Sequence, residues 1–180
     1  MLSRDAIATA VEKVSTEDFY KPSHGHIFEA ITALYAAGEP IDHVTVTEGL
    51  RRALRERRFG AHVVNFANAD MVGHTGKLAE TIAAVETLDR CFGEIEAACR
   101  EAGASLMMTA DHGNAEQMRD PVTGQPHTAH TTNPVPFVLC APKAGKLRAG
   151  GALSDVAPTV LALQEIEAPS EMTGRDLRDS

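Results

Sequence analysis

The sequence predicts an α/β fold: a parallel sheet flanked by helices over the last two thirds, preceded by an all-α extension. Three observations predict it. From Leu2 to Gly38 apolar residues recur at helical spacing. From Ala61 onward short apolar runs flank one long amphipathic stretch, the strand–helix–strand order of a parallel sheet. Asp and His gather just after those short runs, at the strand ends where α/β sheets bind ligands.

Each element has a local reason. Ser3 is placed to cap a helix carrying Ile7, Val11 and Val14 on one face. Ser15 with Asp18 forms a second capping signal. Pro22 and Ser23 open a third helix with Ile27, Ile31 and Leu34 in register, and Gly38 and Pro40 stop it. Thr45 and Glu48 make a capping box for a helix through Leu50 and Leu54 towards Arg58. His62 to Ala67 suits a buried strand, and Asn68 to Gly76 a loop. Lys77 to Ala102 is a long helix with Leu78, Ile82, Val85, Phe92, Ile95 and Cys99 expected on its core face, ended by Gly103. Ser105 to Thr109 and Pro136 to Cys140 are further strands, and Asp155 to Leu163 a closing helix.

Composition narrows the function. The 180 residues make one domain or two small ones, and 43% hydrophobic content is enough for a core. Without Trp, and with aromatics at 4%, aliphatic side chains must fill it. A net charge of -8 argues against a general nucleic-acid binder. Arg51, Arg52, Arg55, Arg57 and Arg58 read as a solvated helix face. Cys91, Cys99 and Cys140 are an odd number without metal-type spacing, expected to be reduced, largely buried thiols of a cytoplasmic protein. Arg4 and Asp5 interrupt any apolar signal segment after Met1, and no apolar run approaches the ~18 residues of a membrane span.

Three loops hold the chemistry. In NADMVGHTG, Asp70 and His74 stand four apart and can converge on one cation, or serve as a cap and a surface histidine. In TADHGNAE, Asp111 and His112 are adjacent; a turn at Gly113 would let both face one ion, the alternative being a buried Asp–His pair. HTAHTTNPVPF contributes His127 and His130, each of which alone reads as structural or solvent-facing. Together these residues fit a hydrolytic or phosphoryl-transfer site with two divalent metals. Mn²⁺ or Zn²⁺ suits mixed Asp and His ligands better than Mg²⁺, which prefers oxygen.

NADMVGHTG, TADHGNAE, TAHTTNPVPF, LSDVAPTVL and EMTGRDL occur in this order. They resemble the closing segment of cofactor-independent phosphoglycerate mutase, one of the alkaline-phosphatase-like metalloenzymes, over residues 45–180. The resemblance implies a partial alkaline-phosphatase-like sheet and a family reaction between 3-phosphoglycerate and 2-phosphoglycerate through phosphoserine, with two Mn²⁺ ions. It further implies that Asp70, His74 and His130 hold one metal, and that Asp111 and His112 form part of the second metal's ligand set. One well-formed Mn²⁺ site is therefore expected. Ala69 stands where many relatives have Pro. The family's nucleophilic Ser, a further metal-binding Asp and the basic phosphoglycerate clamp find no counterpart before Thr45, so the residues present imply metal binding without turnover. Ser154 and Thr75 are hydroxyls in this region with nothing to promote them.

Residues 1–44 have another texture. DFYKP and HIFEAITALYAAGEP resemble part of the N-terminal helical domain of DnaB-type replicative DNA helicases. That resemblance implies a helical interaction module contacting primase or helicase subunits, and no ATPase motor, since no Walker motif is present. The chain thus reads as a chimera joined near Val44 to Thr47. The alternatives to a mutase metal-binding fragment are that interaction module or a non-functional fusion.

Overall fold

The structure is a computed structural model and describes residues 10, 12–18, 43–57, 59–142 and 145–179. A short 3-10 turn, Thr16–Asp18, comes first. Helices α1 (His43–Glu56), α2 (Asn68–Gly73) and α3 (Leu78–Ala102) follow, then strands β1 (Leu106–Thr109), β2 (Phe137–Cys140) and β3 (Lys146–Leu147). A 3-10 turn at Leu153–Asp155 leads into α4 (Val156–Leu163), and β4 (Arg178–Asp179) closes the chain.

The Ser15 and Asp18 signal is realised locally: the Asp18 carboxylate accepts the Ser15 N–H at 2.6 Å and its hydroxyl at 2.9 Å. Of the helix expected after Ser3 only the end is described, where the Val14 N–H reaches the Ala10 carbonyl at 2.9 Å. The helix expected from Pro22 to Gly38 lies outside the described residues. Helix α1 begins at His43, two residues before the expected capping box. Glu48 therefore sits inside the helix, and it pairs with Arg51 and Arg55 at 3.2 and 3.4 Å. Arg51 also reaches Glu94 of α3 at 3.3 Å, so the arginine face is solvated but not idle.

Helix α3 is the spine of the molecule. Its face bearing Thr81, Leu88, Cys91, Ile95, Ala98 and Cys99 is buried, and α1, α2 and β1 pack against the helix. Gly103 ends it in the left-handed conformation (φ 66°), a geometry that costs a glycine little. Ile95 and Cys99 lie inside, as expected. Leu78, Ile82 and Val85 do not, with Leu78 53% exposed. At 100° per residue they form a second apolar stripe about a quarter turn from the buried one. Periodicity marks both stripes but cannot say which of them is covered.

The sheet departs from expectation. Strands β1 and β2 pair antiparallel, with Leu106 opposite Cys140 and Thr109 opposite Phe137. The small sheet of β3 and β4 is antiparallel too. A parallel pair needs a crossover, usually helical; the chain from β1 to β2 instead runs out and returns on itself. Isolated bridges join Gly113 to Thr131 and Arg119 to Pro126, extending the β1–β2 pairing as one interrupted hairpin. Its tip is an Asx turn in which Asp120 Oδ1 accepts the N–H groups of Val122 and Thr123 at 2.9 and 2.7 Å. The expected strand from His62 to Ala67 is irregular, with Val63 98% exposed. No strand pairs with it among the described residues, and an apolar run without a pairing partner stays coil.

Two late motifs, LSDVAPTVL and EMTGRDL, prove structural. Buried Asp155 accepts the Ala152 and Arg175 N–H groups, each at 2.8 Å. These two amides hold its carboxyl below the ordinary range despite its burial. The Thr159 hydroxyl donates to the Asp155 carbonyl at 2.7 Å and accepts the Leu177 N–H at 3.0 Å, stitching the C-terminal tail onto α4. No described helix is long and apolar enough to cross a membrane.

Candidate metal centre

Helix α2 places Asp70 in its first turn and leaves His74 just past its end, one turn later, with the His74 N–H on the Asp70 carbonyl at 3.0 Å. Side chains four apart on a helix share a face. The returning arm of the hairpin brings His130 to the same place. Asp70 Oδ1 lies 3.3 Å from His74 Nε2 and 3.2 Å from His130 Nε2, and the two nitrogens are 3.0 Å apart. Neighbouring ligands of one ion with bonds of about 2.1 Å stand roughly 3.0–3.4 Å apart, so the spacing fits a shared cation.

The donor chemistry fits as well. His74 Nδ1 is 2.6 Å from the Thr128 carbonyl. A carbonyl only accepts, so Nδ1 carries the proton and a neutral ring turns its Nε2 lone pair inwards. For Asp70, partial burial works to raise the pKa. The Asn114 hydrogen bond and the neighbouring His74, His130 and His112 outweigh it, and the net shift is downward. Asp70 therefore stands as a carboxylate facing two imidazole nitrogens. Asp70, His74 and His130 form a group that can hold a metal ion.

Asp111 and His112 do not join that triangle of donor atoms. Asp111 has its side chain 82% exposed, with its Oδ1 3.5 Å from His112 Nε2. His112 stacks its ring on His130, centroids 3.6 Å apart. His127 is half-buried, its Nδ1 without a hydrogen-bond partner. Gly113 is needed for closeness rather than for a positive φ: a Cβ there would meet Thr131 Oγ1 and Glu116. Thr75 is occupied by a turn, donating to the Val72 carbonyl at 2.6 Å.

Sequence reasoning passed over the residues that hold the ligands. Asn114 Nδ2 donates to Asp70 Oδ1 at 2.7 Å. Glu116 accepts the Asn114 N–H at 2.6 Å, the Asn133 amide at 2.9 Å and the Thr131 hydroxyl. Its pKa is held down to about 2, chiefly by that hydroxyl, with some desolvation opposing and the Asn133 and backbone N–H groups assisting. Glu116 thus clasps the two arms of the hairpin beside the site. Asn114 and Glu116 lie within TADHGNAE, so their signal was proximity to expected ligands; Thr128 acts through its backbone and leaves none.

A triangle of donors built on a helix end and a hairpin could hold a metal ion, and the comparisons give the family. The chain belongs to the Metalloenzyme superfamily, whose family model matches residues 7–168. It is homologous to cofactor-independent phosphoglycerate mutase over 81% of its length. The 2,3-bisphosphoglycerate-independent phosphoglycerate mutase of Yersinia pestis (strain Pestoides F) is 49% identical over 145 residues. That of Thermosynechococcus vestitus is 48% identical over 152 residues, 79% of this chain. In both cases the chain spans 28% of the relative's length. The solved structure of Leishmania mexicana phosphoglycerate mutase at low cobalt concentration superposes with a TM-score of 0.70 at 30% identity, covering 77% of this chain and 28% of that one. The family match begins inside segment 1–44, where the helicase resemblance rests on its sequence motifs alone.

Proposed function

We propose that this chain is the metal-binding portion of a cofactor-independent phosphoglycerate mutase, in which Asp70, His74 and His130 hold one Mn²⁺. The observation that supports this best is the triangle of three donor atoms, each 3.0–3.3 Å from the others. Asp111 and His112 are assigned to a second, incomplete site, since Asp111 faces solvent. The coverage of 28% of the relatives' length fits a fragment. A divalent ion at the triangle would supply charge to stabilise a phosphoryl oxygen. Asp70 supplies negative charge, the Thr128 carbonyl fixes the His74 tautomer, and the Glu116 clasp keeps the His130 arm in place. The substrate of the complete site is phosphoglycerate, by analogy with the relatives' names. The role assigned to these residues is metal binding.

The test is thermal and chemical unfolding with and without Mn²⁺. A ligand at a hundred times its Kd stabilises the fold it binds by about 2.7 kcal/mol. Wild-type protein should gain on that scale, and Asp70→Ala should gain nothing. An equal gain in Asp70→Ala, or none in the wild type, contradicts the proposal.

A further inference from the structure

Asn114 stands apart from its neighbours. It is 5% exposed, whereas Asp70, His74 and His130 are each open to solvent by a third or more. Its Nδ2 donates to the one Asp70 oxygen that faces both imidazoles. Its Oδ1 is buried without a hydrogen-bond partner, tight against Gly73, where a Cβ would collide with it. Reversing the amide would set two oxygens 2.7 Å apart, so Asp70 dictates the orientation and the orphaned carbonyl is its consequence. A buried amide oxygen left unpaired is unfavourable, and among the described residues the one hydrogen bond of this side chain goes to a candidate ligand. Asn114 is itself held through its N–H by Glu116, which grips Thr131, the residue after His130.

We infer that Asn114 is a positioning residue of this centre. Its amide occupies one lone pair of Asp70 Oδ1 and stops the carboxylate turning, so the other lone pair stays towards His74 and His130. Through Glu116 the same residue links the Asp70 helix to the His130 arm, so all three donors are set before an ion arrives. The inference rests on the metal-centre reading. Outer partners of this kind typically govern metal affinity by about 10–100-fold.

Cobalt(II) is the probe, because its visible absorption reports coordination geometry directly. The full chain, wild type and Asn114→Ala, is titrated with Co²⁺ after circular dichroism confirms folding. Asn114→Ala should bind at least about tenfold more weakly and show a band changed in position or intensity. Asn114→Asp keeps the shape but cannot donate when ionised; its added charge can raise affinity, so its readout is the spectrum, which should also change. A folded Asn114→Ala with wild-type spectrum overturns the inference, even if affinity falls, because that is a merely structural effect. Should Asn114→Ala not fold, an unchanged Asn114→Asp spectrum overturns it. No cobalt band from the wild type overturns the metal centre and this inference together, whereas a normal band unaltered in the variants overturns this inference alone.

Discussion

Hydrogen bonds to groups that can only donate or only accept decide what the site residues do. The Thr128 carbonyl can only accept, so it sets the His74 tautomer. Three donors converge on Glu116, so only a carboxylate fits there, and its pKa falls to about 2 from an ordinary 4.5. A depressed carboxyl stabilises the fold above its ordinary pKa, and that contribution is lost as pH falls through the folded value. The stabilisation by Glu116 should therefore be present at neutral pH and disappear between about pH 4.5 and about pH 2. Glu116→Gln presents a donor to other donors. Its melting temperature should lie below wild type at pH 7, and the two curves should meet near pH 2. A constant gap across that range would show that the clasp does not titrate. Asp70, His74 and His130 were legible as candidate ligands from their residue types and the Asp70–His74 spacing, although the strand expected before Asp70 did not form. Asn114 and Glu116 were not, because a hydrogen-bonding side chain in a loop has no signature until its partners are brought to it.

At the scale of elements, the limits of α3, β1 and β2 were legible; the strand expected over His62 to Ala67, the loop expected from Asn68, which holds α2, and the strand pairings were not. Helix α3 starts one residue after Lys77 and ends at Ala102, and β1 and β2 each begin one residue after the expected start. These limits follow from local causes, the Gly103 cap and the runs of apolar residues. The direction of β1 against β2 depends on how the intervening loop travels, which no window of sequence encodes. The interrupted hairpin matters for the site, because its return arm delivers His130 to Asp70. Binding of the tail to α4 was likewise hidden: Thr159 reads as one more residue in an apolar helix, yet it is fully buried and carries two hydrogen bonds. Thr159→Val keeps the shape but leaves the Leu177 N–H without its partner. Urea unfolding should show a loss of about 1–3 kcal/mol. A loss near zero would mean that the tail is not held by this contact.

Across the whole molecule, the described residues hold one group of three donor atoms that could take a metal ion. The apolar stripe of Leu78, Ile82 and Val85 and the irregular run around Val63 stay exposed. Both belong to a chain that spans 28% of the relatives it matches. The parallel sheet expected from element order is absent from the described residues; what is present is a helix spine with two small antiparallel sheets. The proposed function requires one metal site, on Asp70, His74 and His130. Calorimetric titration with Mn²⁺ of wild type, His130→Ala and His127→Ala tests it most directly. One tight binding event should appear in the wild type, persist in His127→Ala and vanish in His130→Ala. Two equal sites in the wild type, or a tight event that survives in His130→Ala, would contradict the account.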